Sequence, residues 1–238
     1  MTHALGLQAV GVERVLAWYE AIVGAVTALT AGDDLPGSGA DGFAALREAM
    51  LSSADADSLF ADAARGIGDE EAVSNAAVLL FGGIETTEGM IANALWHLLL
   101  HPDQLALVRS DPVLLAGAVE ESLRLEPAAA TIDRYAMRDA TPIHAGDLVS
   151  VSIAAANRDP AVFEDPDRFD VRRPNAKLHL AFAHGPHVCV GMHLARLEAH
   201  TALRVLLDRM PSPRLADPVQ AAPRGLVFRK PPALRVDF

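Results

Sequence analysis

One short loop of the chain holds the residue type best suited to unusual chemistry. Cys189, the only cysteine, lies in the stretch FAHGPHVCVG between Gly185 and Gly191, and a helix is predicted to begin near Met192. The N–H groups and the positive end of that helix would favour the thiolate form of the sulfur. A thiolate is a metal ligand or a nucleophile, so a metal site and a Cys/His hydrolase are both open, beside a small buried cysteine.

A second stretch, LLFGGIETTEG at residues 79–89, places glycines where a helix disfavours them. Gly82 and Gly83 each cost a helix about 1 kcal/mol relative to alanine. They lie at i−4 and i−3 from Thr86, so they would clear a space beside its hydroxyl. Glycines that let two helices pack closely would explain the same pattern without any chemistry. The residues alone therefore leave a polar pocket and a packing surface as alternatives.

Predicted helices must position both stretches. A predicted β-hairpin and an irregular segment interrupt the series of helices. Apolar periodicity and turn residues predict helices over about residues 5–30, 43–52, 70–100 and 192–210, a short helix after residue 58, and two more that run to about residues 109 and 125. The stretch TPIHAGDLVSVSI predicts a β-hairpin whose strands pair across residues 145–147. The proline-rich stretch at residues 157–181 predicts irregular structure. The expected fold class is mainly α with small β-hairpins.

Composition limits the class of protein. A hydrophobic content of 51% supports a globular core, and a net charge of −11 argues against nucleic acid or an anionic membrane as the main partner. One cysteine excludes an internal disulfide framework and a zinc site built from several thiolates. The longest apolar run near the middle, residues 76–84, is far shorter than the roughly 20 residues of a membrane span. We therefore expect a cytoplasmic protein without membrane insertion.

The cysteine loop resembles the haem-binding signature of the cytochrome P-450 family, Phe-x-x-Gly-x-His-x-Cys-x-Gly. The matching residues are Phe182, Gly185, His187, Cys189 and Gly191. The resemblance implies haem b as the cofactor, with the Cys189 thiolate as the axial ligand of its iron and His187 in contact with a propionate. A thiolate ligand suits this chemistry, because it pushes electron density onto iron and promotes O–O cleavage.

The long helix resembles the oxygen-activation motif of the same family, Ala/Gly-Gly-x-Asp/Glu-Thr. The matching residues are Gly82, Gly83, Glu85 and Thr86. The resemblance implies that Thr86 steadies the dioxygen and that Glu85 relays protons toward it. Such a pair suits O–O cleavage, which needs protons at the distal oxygen while bulk water is kept out.

Further motifs occur in the order in which the family has them. Glu121 and Arg124 match Glu-x-x-Arg, and the resemblance implies a buried ion-pair network that Arg168 joins. An exposed pair at this spacing would contribute only about 0.2–0.5 kcal/mol. Arg134 matches an arginine that binds a haem propionate, and the small side chains of residues 128–132 would line the substrate pocket.

The resemblance covers most of the chain from about residue 70 and implies a partial cytochrome P-450 fold that lacks the N-terminal helices and the main sheet. We expect one partial domain over residues 1–238, with lid-like helices up to about residue 68 and the haem-binding core from about residue 69. The implied function is monooxygenation of a small apolar substrate, with electrons from a ferredoxin or flavodoxin and its reductase. A truncated haem-binding remnant without turnover and a peroxide-driven haem-thiolate enzyme are the alternatives.

Overall fold

The computed structural model describes residues 2–3, 5–31, 34, 36–53, 55–225 and 227–238. Helices dominate it, and two small antiparallel sheets of two strands each lie in its second half. This confirms the expected mainly α class. The helices are α1 (Val12–Ala31), α2 (Gly37–Ser53), α3 (Leu59–Ile67), α4 (Asp69–Leu100), α5 (Pro102–Ser110), α6 (Leu114–Leu125), α7 (Ile153–Ala156) and α8 (Met192–Arg209).

The chain divides into two compact units, Met1–Ile84 and Glu85–Phe238, and the division falls inside α4. The prediction of a single partial domain with a boundary near residue 68 stays a prediction. In the first unit, α1 and α2 pack together over a core that includes Trp18, Leu46 and Met50. The second unit has its own core, in which α4, α5, α6 and α8 bury their apolar faces.

Local chemistry explains where the helices begin and end. The Ser58 hydroxyl accepts a hydrogen bond from the Ala61 N–H at 3.2 Å and caps the start of α3. Gly68 ends that helix with φ +87° and ψ 159°, a backbone conformation that costs glycine little. Three acidic residues, Asp69, Glu70 and Glu71, fill the first turn of α4, where negative charge is favourable. Pro102 occupies the first position of α5.

The second strand of the predicted hairpin pairs with a different segment from the one that the sequence pattern predicts. Strand β2 (Leu148–Ser152) pairs with β1 (Thr131–Tyr135), in a register that sets Asp133 opposite Ser150. Between Ala140 and Ile143 the proposed first strand forms only an isolated bridge. The β-branched run was placed correctly, but its partner depends on which distant segment completes the ladder. The second sheet pairs β3 (Arg214–Leu215) with β4 (Val236–Asp237).

A close approach of backbone to helix holds α6 in place. A Cβ built on Gly117 would overlap the carbonyl oxygen of Val171, so no larger residue fits there without a shift of the backbone. The irregular segment that contains Val171 therefore lies directly against α6. Residues 157–181 are irregular as expected, apart from a short 3₁₀ turn at Ala176–Leu178.

Candidate functional site

The cysteine loop folds back on itself before α8. The Cys189 N–H donates to the Phe182 carbonyl at 2.9 Å, and the Val188 N–H donates to the Gly185 carbonyl at 3.0 Å. Ala183 and Gly185 have positive φ values of 59° and 74°, and a 3₁₀ turn covers Gly185–His187. The two left-handed residues reverse the chain direction, so the loop backbone has a defined shape.

The Cys189 thiol is exposed at the end of this loop. Gly191 caps α8, and the Met192 N–H donates to the Cys189 carbonyl at 3.4 Å, so the sulfur lies just before the first turn of that helix. The reading of Cys189 as a small buried residue is therefore wrong. An exposed sulfur on a shaped loop is accessible to a metal or another electrophile.

The surroundings of the thiol are open. A Cβ built on Gly185 would meet nothing within 4 Å, and one built on Gly191 would meet only the Cys189 Sγ, at 3.9 Å. The neighbouring Val188 and Val190 are also exposed, Val190 at 85%. The loop thus presents a sulfur among exposed apolar side chains and open glycine backbone.

The two predicted propionate-binding side chains lie on different elements of the same unit. His187 is an exposed residue of the cysteine loop, and Arg134 is an exposed residue of β1. The Arg134 Nη1 donates to the carbonyl oxygen of Asp133 at 2.7 Å. Both side chains are accessible to an acidic group, and their role toward haem stays a prediction.

All four residues of the predicted oxygen-activation motif lie in α4. A Cβ built on Gly82 would meet nothing within 4 Å, so this glycine borders open space. The Glu85 carboxylate is largely buried and lies 3.1 Å from the Lys230 Nζ, which is also 2.8 Å from the Glu88 carboxylate. Burial by itself would lower the pKa of Lys230, but its bonds to the two carboxylates outweigh burial and raise it. Sequence reasoning missed Lys230, which is 145 residues from Glu85.

Glu121 and Arg124 on α6 form a fully buried ion pair. The Arg124 Nε and Nη2 donate to the two Glu121 carboxylate oxygens at 2.7 and 2.9 Å. The guanidinium also donates to the carbonyls of Asn157, Pro166 and Arg168. The ion pair is therefore buried, and backbone carbonyls of the irregular segment packed on α6 accept the remaining hydrogen bonds of Arg124.

The prediction that the Arg168 side chain joins this network is wrong. That side chain is 63% exposed and lies 3.7 Å from Asp170, and only its backbone carbonyl accepts from Arg124. Arg173 takes the predicted place: its Nε donates to the Glu121 Oε1 at 2.8 Å, and its side chain is 7% exposed. Arg168 and Arg173 lie in one irregular segment, where no periodicity of the sequence distinguishes buried from exposed positions. The path of the backbone therefore decides which of the two side chains points inward.

A second buried network, which the sequence did not indicate, surrounds the preceding residue, Glu120. Arg196 on α8 donates to both Glu120 oxygens at 2.6 and 2.9 Å, and the His179 Nε2 lies 3.2 Å from one of them. Burial by itself would raise the pKa of Glu120, but the bonds from His179 and Arg196 outweigh burial and lower it to about 2. The only sequence signal is the doubled glutamate, which gives no indication of a partner.

Residues 128–132, the predicted pocket lining, run beside the C-terminal segment. The Ala130 N–H donates to the Val227 carbonyl at 2.7 Å, and the Arg229 N–H donates to the Ala128 carbonyl at 2.9 Å. Ala128 and Ala130 are buried. Their contact with a substrate stays a prediction.

His97 is a further buried titratable group. Its Nδ1 lies 2.9 Å from the Ser122 Oγ, and its ring stacks on Phe169 with centroids 4.9 Å apart. Burial is the largest cause that lowers its pKa, to about 3. His97 is thus a neutral part of the core near pH 7.

Two observations concern membrane-spanning helices and metal-binding clusters among the described residues. Over the described ranges, no helix has the length and apolar character needed to cross a membrane. The same residues contain no group of three or more His, Cys, Asp or Glu side chains arranged to hold a metal ion. A metal at Cys189 would therefore need most of its ligands from a group other than the described side chains.

Fold and site together define a mainly helical protein that presents an exposed thiol on a shaped loop. The model of the cytochrome P450 family matches residues 41–211, which is most of the chain. The chain belongs to the cytochrome P450 family.

Similar proteins come from several bacteria. The chain is 48% identical over 171 residues to the cytochrome P450 monooxygenase PikC of Streptomyces venezuelae, a match that covers 70% of this chain and 40% of PikC. It is 47% identical over 154 residues to the biotin biosynthesis cytochrome P450 of Bacillus subtilis, covering 63% of this chain and 38% of the relative. The chain thus spans about 40% of the length of these relatives.

Solved structures show the same fold. The P450BioI structure in complex with a fatty-acid-ligated acyl carrier protein has a TM-score of 0.81 and 33% identity, over 97% of this chain and 63% of that one. The LnmA cytochrome P450 hydroxylase of Streptomyces atroolivaceus has a TM-score of 0.81 and 32% identity, over 100% and 64% of the two chains. The expected partial cytochrome P450 fold is thereby confirmed.

Membership in the family implies a haem iron with a cysteine thiolate ligand. The residues present fit that group. The loop offers one soft sulfur donor, which suits a haem iron because the porphyrin itself would supply the nitrogen ligands. A Cβ built on Gly185 would meet nothing within 4 Å, so the loop has open space at that residue, and the exposed Arg134 and His187 can donate to carboxylates.

Proposed function

We propose that the chain functions in haem-thiolate monooxygenation, in which one oxygen atom of dioxygen enters a small apolar organic substrate and the other leaves as water. The observation that carries the proposal is the exposed Cys189 thiol on a loop whose backbone is fixed from Phe182 to Gly191. The named relatives include a monooxygenase, which agrees with this chemistry.

Three side chains bind the cofactor in this proposal. The Cys189 Sγ would bind the iron, and the imidazole of His187 and the guanidinium of Arg134 would donate to the propionates. A guanidinium suits this role because it can form two parallel hydrogen bonds to one carboxylate. When bound, a thiolate-ligated haem supplies the binding and reductive cleavage of dioxygen.

Glu85 and Thr86 control protons in this proposal. The Glu85 carboxylate, which is paired with Lys230, would accept a proton and pass it on, while the Thr86 Oγ1 would donate a hydrogen bond toward the reacting oxygen. Gly82 and Gly83 belong to the same motif of the resemblance, and a Cβ built on Gly82 would meet nothing within 4 Å. Residues 128–132 would line the substrate pocket, and their mostly small side chains would leave room for an apolar substrate.

The reaction in this proposal consumes two electrons. The chain contains no flavin or nicotinamide fingerprint, so we propose a ferredoxin or flavodoxin with its reductase as the donor. Product formation that needs such a donor would support this step, and equal turnover with peroxide alone would contradict it.

The first test is the spectrum of the purified, haem-supplied chain after reduction and exposure to carbon monoxide. We expect a strongly red-shifted Soret band, and the Cys189→Ala variant should lose it because the sulfur ligand is gone. A parent chain without this band would overturn the proposal. With a complete electron supply, Thr86→Ala should then form less product per electron consumed than the parent.

The open surroundings of the thiol favour a second candidate, a haem-binding chain without turnover. Val188 and Val190 are exposed beside Cys189, so water would reach the thiol from this side of the loop. This candidate predicts the same red-shifted band but no product when electrons and substrates are supplied.

A further inference from the structure

Three separate parts of the second unit meet at the carboxylate of Glu120. Glu120 lies on α6, Arg196 lies on α8, and His179 lies in the irregular segment before the cysteine loop. The Glu120 side chain is 6% exposed, that of His179 is 2% and that of Arg196 is 29%. A carboxylate so well buried is stable only with charged or hydrogen-bonded partners, and here it has both.

Geometry fixes the direction of each hydrogen bond. The Ala181 N–H donates to the His179 Nδ1 at 3.1 Å, so the Nε2 carries the ring proton and donates to Glu120 at 3.2 Å. The Arg196 guanidinium donates two bonds in the fork geometry that a lysine cannot reproduce. Glu120 therefore accepts from two different segments at once.

These two segments are the two ends of the cysteine loop. His179 lies three residues before Phe182, and Arg196 lies five residues after Gly191. The Arg196 guanidinium also lies over the Phe182 ring, 4.6 Å from its centroid. The Phe182 carbonyl in turn accepts the Cys189 N–H at 2.9 Å. A short chain of contacts thus connects Glu120 to the residue that carries the thiol.

The neighbouring Glu121 binds a different part of the chain. It binds Arg124 and Arg173 and accepts the Asp170 N–H at 3.1 Å, so it holds the irregular segment before residue 175. Two consecutive glutamates on α6 therefore serve two separate stretches of backbone.

We infer that Glu120 is a positioning residue that fixes both ends of the cysteine loop to α6 and so sets the position of the Cys189 sulfur. The low pKa of Glu120, about 2, agrees with this role, because the carboxylate stays charged near neutral pH. The consequence for haem rests on the proposed function; the effect on the loop does not.

The test compares Glu120→Gln with the parent chain by amide hydrogen exchange without haem. The glutamine side chain lacks the charge of the Glu120 carboxylate and part of its acceptor capacity. We therefore expect the backbone N–H of Cys189 to exchange about ten- to hundredfold faster. Amides of the β1–β2 hairpin should keep the parent rates. Glu198→Gln, on an exposed part of α8, is the matched control and should leave all of these rates unchanged.

A second variant covers the case in which Glu120→Gln does not fold. Arg196→Lys retains a positive charge but removes the fork, so it should speed exchange at Cys189 by a smaller factor. Parent-level exchange at Cys189 in the folded variants would overturn the inference, and so would an equal acceleration in the β1–β2 hairpin. A smaller red-shifted band in haem-supplied Glu120→Gln would extend the effect to the cofactor. If the parent lacks the band, the proposed function fails while the exchange result still decides the role of Glu120.

Discussion

Replacing Arg173 with methionine should destabilise the second unit far more than the same change at Arg168. Arg173 donates to the Glu121 Oε1 at 2.8 Å and to the carbonyls of Glu164, Asp165 and Arg168 at 2.6, 3.0 and 3.0 Å. Its loss leaves a fully buried carboxylate with fewer donors. Because Arg124 still neutralises Glu121, we expect a cost of about 3 kcal/mol, at the low end for a broken buried pair.

Arg168→Met is the matched control from the same segment. The Arg168 side chain is mostly exposed and its pair with Asp170 is 3.7 Å long, so the expected cost is below about 1 kcal/mol. Its carbonyl, which does accept from the network, is unchanged by the substitution. The two variants remove the same charge and similar volume, so the difference between them reports position alone.

Urea unfolding followed by far-ultraviolet circular dichroism measures the difference, with hydrogen exchange of the α6 amides as the local readout. A loss of about 3 kcal/mol corresponds to a fall in Tm of roughly 6–12 °C for a domain of this size. Equal costs at the two positions, or a larger cost for Arg168→Met, would refute the assignment of Arg173 to the network.

Three further results are expected from the same unfolding assay. The neutral His97 should contribute fully to stability above pH 6.5. Because its folded pKa of about 3 lies below the unfolded value, the free energy of unfolding should fall by about 2 kcal/mol by pH 5. In His97→Gln this contribution to the pH dependence should be absent. Gly117→Ala should cost about 1–3 kcal/mol through backbone overlap, whereas Gly82→Ala should stabilise by up to about 1 kcal/mol because its Cβ meets nothing. Lys230→Met should cost about 1 kcal/mol, and adding Glu85→Gln should recover part of that loss; full additivity of the two changes would contradict their coupling.

The helices show how far local pattern reaches. Asp69, Pro102 and Gly191 mark starts of α4, α5 and α8 because their effects act within one helical turn. The helix at the N-terminus was predicted from about residue 5 but begins at Val12, and α2 begins at Gly37 instead of near residue 43. Where a boundary lacks a strong local signal, packing between α1 and α2 decides it.

By itself, the sequence determined the mainly helical class and the identity of the cysteine loop, because spacing within ten residues fixes which groups a short loop presents. The family was likewise evident from motifs that each occupy one short stretch. Only the tertiary structure decided that Arg173 binds Glu121, that Glu120 joins His179 to Arg196, and that β2 pairs with β1. Each of these contacts joins residues at least 13 positions apart, and the packing of whole elements selects one partner among several of equal local chemistry. Burial then gives the chosen pair its energetic weight, since an unsatisfied charge in the core costs several kcal/mol.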